Sequence, residues 1–253
     1  MFAVPKRGTM KRGALLIKMA SLVTLSDEDR QALEALPLTD VNVARRRAIL
    51  AQGARPEFVY MLQSGWAARY EVRSDGSRRI TGFLLPGDFC GIHAVCHAAM
   101  DHAIVAITDC VVGRIDQAAF ADLSRRSPAI NQALWRAKLI EEAVLRKWLL
   151  FSTDSQQSVA HLLCELYVRA AVVGLAADGQ CRLPLTQEEI GDALGITAVH
   201  TNRVIQRLRG QGIIDLSHHE LTIRDAAALT RAAAFDRSYL EPWLSENAIS
   251  LLG

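Results

Sequence analysis

The run Thr186–Arg209, TQEEIGDALGITAVHTNRVIQRLR, holds side chains able to read a base pair at the spacing a helix needs to present them together. An arginine can donate a fork of hydrogen bonds to guanine, and asparagine or glutamine can read adenine. At about 100° per residue, Val199, Arg203 and Gln206 point one way and Thr201, Val204, Ile205 and Leu208 the other. Asn202 lies on one flank of the outward face, with His200 and Arg207 on the other. His200, Arg207 and Arg209 stand where phosphate contacts would fix a docking register. The expected DNA contacts are Thr197, Ala198, Val199, His200, Asn202, Arg203, Gln206 and Arg207.

A second group could do different chemistry. Cys90, His93, Cys96, His97 and His102 fall within thirteen residues, and His93, Cys96 and His97 at i, i+3 and i+4 can share a helix face and ligate zinc or haem. The spacing matches no standard zinc finger, and isolated cysteines and histidines are more often packing residues. No metal and no cofactor are therefore expected, with Cys90, His93, Cys96 and His97 the ligands to test for a metal- or redox-sensing alternative. No Gly-rich phosphate loop ending in Lys-Ser/Thr, no Gly-x-Ser-x-Gly elbow and no His-Glu-x-x-His pair occurs, so no enzyme is expected.

The elements that must position the reading face are legible around it. Thr186 with Glu189 is a capping box that starts a helix, Ile190 and Leu194 are its buried face, and Gly195 ends it. After a turn of three or four residues, Thr197 caps the next helix, which closes at Gly210 to Gly212. Ile213–Leu216 and Leu221–Ile223 then alternate as strands joined by Ser217-His218-His219, a β-wing. Any αα-hairpin can mimic a helix-turn-helix, and the appended wing argues for double-stranded DNA as partner. The competing class is a dimeric ligand-binding or interaction module whose winged helix docks on protein. Such modules usually lose the outward basic residues, whereas Arg203 and Arg207 are present.

From Val41 to Ile115, apolar stretches of five to eight residues are cut by Gly53, Gly65, Gly76 and Gly87, the rhythm of an antiparallel barrel. Trp66, Ala68, Tyr70 and Val72 alternate with Ala67, Arg69, Glu71 and Arg73, so one face is expected to look inward. Asp75-Gly76 supplies the hairpin turn to Arg78–Leu84. After Pro128 the period turns helical: Ile130, Ala133, Ala137, Ile140, Val144, Trp148 and Phe151 form a stripe wider than one contact requires. This predicts a dimerisation helix over 128–151, with Ile130, Ala137, Ile140, Val144, Trp148 and Phe151 at a homodimer seam; the plainer alternative is a core helix of a monomer. The fold class is α+β: a jelly-roll-like antiparallel β-barrel joined by that helix to a winged helix-turn-helix domain. The expected boundaries are an extension 1–24, a sensor barrel 25–127, the helix 128–151, the DNA-binding domain 152–225 and a helical tail 226–253.

Bulk charge does not decide the partner. The net charge is +2, and residues 152–253 hold 8 Lys/Arg against 12 Asp/Glu, so nucleic-acid binding has to rest on a local basic face. Five dispersed cysteines are unlike a disulfide scaffold and are expected to be reduced thiols. No apolar run approaches the roughly 18 to 20 residues of a membrane span, and the basic amino terminus has too short an apolar core for a secretory signal. No membrane partner and a cytoplasmic location are expected.

With a barrel, a long helix and a winged helix-turn-helix in that order, the chain resembles the CRP/FNR family of bacterial transcription regulators from about Leu25 to Asp225. Leu85-Pro86-Gly87-Asp88-Phe89-Cys90-Gly91 is similar to the family's turn into the phosphate-binding cassette of the cyclic-nucleotide fold, and Leu183–Leu208 to its DNA-binding signature. The resemblance implies a homodimer on a near-palindromic operator, with contact to RNA polymerase, and an effector pocket around Gly91, Ile92, His93, Asp101 and His102. Three departures follow. Ile92 stands where cyclic-AMP-binding members have a ribose-holding Glu, and Asp101-His102 falls near their phosphate-gripping Arg-Ser pair, so cyclic AMP is not the expected effector and the small-molecule effector is unknown. The first cysteine is Cys90, which leaves no N-terminal set for the oxygen-sensing branch's iron–sulfur cluster. Val199 replaces the base-reading Glu of many members.

Overall fold

Gly87 shows how the N-terminal half is pinned. Its φ is +92°, and a Cβ there would stand 2.6 Å from the Ala14 carbonyl oxygen, so both backbone and space demand glycine. Asp88 locks the same turn by accepting from the Leu85 amide at 2.9 Å and pairing with Lys18 Nζ at 2.9 Å. The computed structural model describes residues 13–240 except His97 and Ser152. The outer parts of the expected extension and tail, and the ligand candidate His97, lie outside the described residues. Two units form: residues up to Glu71 with Phe83–Leu139, and Val72–Gly82 with Ile140 onward.

The first unit opens with helices α1 (Gly13–Leu22) and α2 (Asp27–Ala35), the latter started by a Ser26/Asp29 capping box. Eight strands follow in chain order: β1 (Thr39–Val43), β2 (Ala48–Leu50), β3 (Phe58–Ser64), β4 (Ala67–Val72), β5 (Arg78–Leu84), β6 (Phe89–Gly91), β7 (Ala103–Ala106) and β8 (Cys110–Asp116), with residues 72–82, and so most of β5, grouped with the second unit. They pair as two four-stranded sheets, β1-β8-β3-β6 and β2-β7-β4-β5. The core includes Leu50, Leu62, Leu84, Met100, Ile104 and Val112. The expected barrel is therefore corrected to an open jelly-roll-like pair of sheets: among the described residues no strand pairs across both, so edges remain at β1, β6, β2 and β5. A 3-10 turn, Ile92–Cys96, follows β6, and α3 (Gln117–Arg126) follows β8.

The alternation read along β4 is also corrected. Trp66, Ala67 and Ala68 are all buried, while Glu71, Val72 and Arg73 are all exposed. The strand passes from a stretch covered on both faces to one covered on neither, so burial follows distance from the layers rather than side-chain parity.

Helix α4 (Pro128–Leu150) begins with proline at its first position, where the missing N–H has no helical partner to lose. Its apolar stripe exists, but it is used inside the chain: Ile130, Val144 and Trp148 are buried, and Ala137, Ile140 and Phe151 half-buried. Of the six residues expected at a homodimer seam, Ile130, Val144 and Trp148 are thus covered by their own chain, while Ala137, Ile140 and Phe151 keep part of their surface. The apolar residues left exposed are Trp135, Leu139, Leu145, Leu149 and Leu150, with Trp135 and Leu149 still 67% and 73% exposed. Most of this face points opposite the stripe, and the i, i+4 pair Arg146–Glu142 lies within it at 2.6 Å.

In the second unit, α5 (Ser155–Val172) is capped by Asp154 and is almost wholly buried. Its Glu165 is fully buried, accepting from Trp148 Nε1 at 2.7 Å and from Arg169 Nη1 at 3.0 Å. Burial raises the Glu165 carboxyl, against the pull of Arg169 and Trp148. Strands β9 (Ala176–Ala177) and β10 (Gln180–Arg182) extend a sheet ordered β11-β12-β10-β9 with β11 (Ile214–Ser217) and β12 (Glu220–Ile223). Helices α6 (Gln187–Leu194), α7 (Ala198–Gly210) and α8 (Ala226–Ala233) complete it.

Two predictions follow from this packing. Leu149→Glu is expected to weaken self-association at least tenfold by sedimentation with the far-UV spectrum unchanged, because it charges an exposed face. Val144→Glu is expected to cost several kcal/mol of folding stability instead, since it buries an unpaired carboxylate. A Leu149→Glu protein as dimeric as wild type would place the seam elsewhere. The second prediction concerns His161, packed against Phe151, Phe235 and Tyr239, with Nε2 2.9 Å from Tyr239 Oη. Burial pushes its imidazole down to about 4. The unfolded chain, with a value near 6.5, takes up this proton first, so stability is complete above about pH 6.5 and falls toward pH 4, by on the order of 3 kcal/mol. Thermal unfolding across that window is expected to flatten in His161→Gln; an unchanged slope would assign the acid sensitivity to other groups.

Candidate nucleic-acid interface

Helix α6 starts as its sequence dictates: Thr186 Oγ1 accepts from the Glu189 amide at 3.1 Å and Glu189 Oε2 accepts from the Thr186 amide at 2.7 Å. Gly195 ends it in the left-handed region at φ +73°. Thr197 then caps α7, its hydroxyl accepting from the His200 amide at 3.2 Å. The two helices approach closely because position 191 has no side chain. A Cβ on Gly191 would stand 2.4 Å from the Ile196 carbonyl oxygen and 3.3 Å from Thr201 Oγ1. Thr201 is fully buried, its hydroxyl donating back to the Thr197 carbonyl at 3.1 Å.

With Thr201, Val204, Ile205 and Leu208 buried, α7 turns Val199, Arg203, Gln206, Arg207 and Arg209 to the exposed side. Val199 is 71% exposed, which the core does not explain. Asn202 is half-buried, and its Oδ1 accepts from Gln187 Nε2 at 3.1 Å and Gln206 Nε2 at 3.4 Å, which ties the start of α6 to the middle of α7. Thr197 is exposed and Ala198 half-buried at the helix start.

The flank differs from a free phosphate clamp. His200 Nε2 lies 2.7 Å from Ser155 Oγ, and Arg207 Nη1 donates to Gln156 Oε1 at 3.2 Å. Both partners sit in the first turn of α5, where Asp154 accepts the amides of Gln156 and Gln157. No local pattern links Ser155 and Gln156 to a helix more than forty residues on. Arg209 Nε meets Asp215 of the wing at 3.2 Å. The wing turn places His218 and His219 at φ +51° and +65°, the conformation of a two-residue hairpin loop. In the 72–82 segment of this unit, Arg78 pairs with Asp192 of α6 at 2.6 Å.

The expected effector residues lie in the other unit. Gly91 is buried, and a Cβ there would meet Leu50 Cδ1 at 2.5 Å. Ile92, His93 and His102 are half-buried and Asp101 exposed. Asp101 Oδ1 lies 2.6 Å from His102 Nδ1 and 3.2 Å from His93 Nε2. Burial lowers the His102 imidazole; Asp101 is itself lowered, its partial burial outweighed by the His102 hydrogen bond and the nearby histidine charges. Cys90 is buried and Cys96 exposed, and neither joins this cluster. An apolar cleft of about 660 Å³ lies alongside, bounded by Ile92, Val95, Phe120, Leu134 and Trp135.

A family model described as a cyclic nucleotide-binding domain matches residues 40–127, and one described as a Crp-like helix-turn-helix domain matches residues 157–232. The chain is 29% identical over 196 residues to the transcriptional activator protein FnrL of Cereibacter sphaeroides, covering 75% of this chain and 78% of that protein. It is 26% identical over 211 residues to the anaerobic regulatory protein of Pasteurella multocida, covering 81% and 76%. Among solved structures, FixK2 from Bradyrhizobium japonicum is similar with a TM-score of 0.70 at 25% identity, covering 79% of this chain and 100% of that one.

The helix pair yields its own prediction. Gly191→Ala forces a Cβ against backbone and is expected to cost about 1 to 3 kcal/mol, while Thr186→Ala, which removes one cap, costs about 1 kcal/mol. Thermal unfolding that ranks Gly191→Ala as the milder change would mean that the two helices do not pack this closely.

Proposed function

The chain belongs to the CRP/FNR family of bacterial transcription regulators and is a dimeric DNA-binding regulator, and from that premise we propose how it reads DNA and what it does not sense. The observation that carries the reading is α7: capped at Thr197, buried through Thr201, Val204, Ile205 and Leu208, and exposing Val199, Arg203 and Gln206 on one face. Inserted in the major groove, Arg203 reads a guanine through two hydrogen bonds and Val199 packs on a thymine methyl. Thr197, Ala198, Asn202 and Gln206 complete the face. His200 and Arg207, already braced by Ser155 and Gln156, hold the helix against the backbone. A two-fold dimer presents two such helices to a near-palindromic operator with half-site centres about 10 to 11 base pairs apart. In this reading the protein works in the cytoplasm and contacts RNA polymerase when bound.

The effector is not cyclic AMP. Ile92 cannot hold a ribose hydroxyl, and the Asp101 carboxylate repels a cyclic phosphate where the family uses an arginine. The domains of this reading are the sensor at 25–127, the dimer helix at 128–151 and the winged helix at 152–225.

Arg203→Ala is expected to lose about 1 to 3 kcal/mol on the preferred site and to flatten discrimination at one base position. Arg207→Ala is expected to weaken all sequences alike and to reduce the salt slope of binding by about one. Cyclic AMP is expected to change neither. Equal losses on specific and random DNA for Arg203→Ala would show a different docking, and a footprint of one short unpaired site would contradict the two-fold arrangement.

A further inference from the structure

We propose that His93, Asp101 and His102 form a binding site for a divalent first-row transition-metal ion, of which zinc is the type. The three side chains come from two segments: His93 from the 3-10 turn after β6, and Asp101 and His102 from the turn that enters β7. Their nearest ligand atoms all lie within 4.8 Å of one another, and the imidazoles stand at 69° with centroids 5.5 Å apart, converging on one carboxylate rather than stacking.

The backbone holds the two arms in place. Met100 donates to the Ala54 carbonyl at 2.8 Å and accepts from the Gly53 amide at 2.7 Å, Gln52 Nε2 donates to the Asp101 carbonyl at 3.0 Å, and the Ala98 amide donates to the His93 carbonyl at 3.1 Å. The inward ring nitrogens, His93 Nε2 and His102 Nδ1, both face Asp101 Oδ1, at 3.2 and 2.6 Å. His93 Nδ1 and His102 Nε2 are buried without a hydrogen-bond partner, so no outside bond fixes either tautomer. Burial differs as an open metal site requires: the histidine side chains are 24% and 14% exposed, while Asp101 is 77% exposed and opens the site to solvent.

The donor set selects the ion. Two imidazole nitrogens and one carboxylate suit zinc, cobalt, nickel or ferrous iron, whereas calcium and magnesium take oxygen-only shells. With bonds of about 2.0 to 2.2 Å, neighbouring ligands of a tetrahedral ion stand roughly 3.3 Å apart. The His93–Asp101 separation of 3.2 Å already matches, and the His102–Asp101 separation of 2.6 Å opens by rotating the exposed Asp101 side chain. Three protein ligands leave the fourth position to water or an exchangeable ligand.

The test uses the full-length protein stripped of metal with a chelator. Cobalt titrated alone is expected to give visible bands of a nitrogen/oxygen site at one ion per chain, without a thiolate charge-transfer band. Zinc affinity, read by competition with a chromophoric chelator, is expected to fall at least tenfold in His102→Ala and in Asp101→Asn, a conservative change at an exposed position, and to be unchanged in Cys96→Ser. Stripped wild type that takes up no stoichiometric metal, Asp101→Asn protein that binds as tightly as wild type, or a thiolate band lost in Cys96→Ser would each overturn the assignment. None of these readouts depends on DNA binding.

Discussion

One cylinder of side chains, α4, has to satisfy two apolar surfaces. At about 1.5 Å per residue its 23 residues span roughly 35 Å, and an apolar stripe runs along one side for that whole length. Ile130, Ala133, Val144 and Trp148 are spent inside their own chain, and Trp148 also donates to the buried Glu165. The opposite face keeps Trp135, Leu139 and Leu149 exposed beside the Glu142–Arg146 pair, and it is the apolar surface of this helix that its own chain leaves uncovered. This division gives the two faces different roles: substitutions on the stripe act through folding, whereas the exposed face is open to substitution without loss of core packing.

Residues 152–253 carry more acidic than basic side chains, yet they hold the DNA-reading helix. Structure removes the contradiction by giving the acids local work. Asp154, Asp225 and Asp236 cap helices, Glu189 is nearly buried in the capping box, Glu165 is buried against Arg169, Asp192 is paired with Arg78 and Asp215 with Arg209. Arg203 remains exposed, so the α7 face is basic although the sequence around it is not.

Where an interaction is local, the sequence discloses it: Thr186 with Glu189, Gly195, Thr197 and the spacing of Val204, Ile205 and Leu208 act within a few residues, and α6, α7 and the wing were legible from them. Where the outcome depends on which surface meets which, the sequence was silent or misleading. A stripe recurring every three or four residues reads the same whether it covers a core or a partner, and that ambiguity put Val144 and Trp148 at the dimer seam. Strand spacing could not say that the sheets stay open, and β9 and β10 were too short for a period to show. The links from Ser155 to His200 and from Gln156 to Arg207 join segments more than forty residues apart.

The turn before β7 carries the charge opposite to the one the family resemblance leads us to expect there. A cyclic-nucleotide pocket needs a cation there to hold a phosphate, and the family resemblance places an Arg-Ser pair at about this point. With Asp101 in its place the sign is reversed: the carboxylate that repels a phosphate is the group that attracts a cation. The rest of the turn supports the second role, since His93 Nε2 and His102 Nδ1 approach the same carboxylate oxygen. A protein that had merely lost its nucleotide could have filled the space with apolar side chains at no electrostatic cost. Two half-buried imidazoles instead turn a nitrogen each toward one exposed carboxylate, and a cation placed between His93 Nε2, His102 Nδ1 and Asp101 takes all three of these inward atoms as ligands.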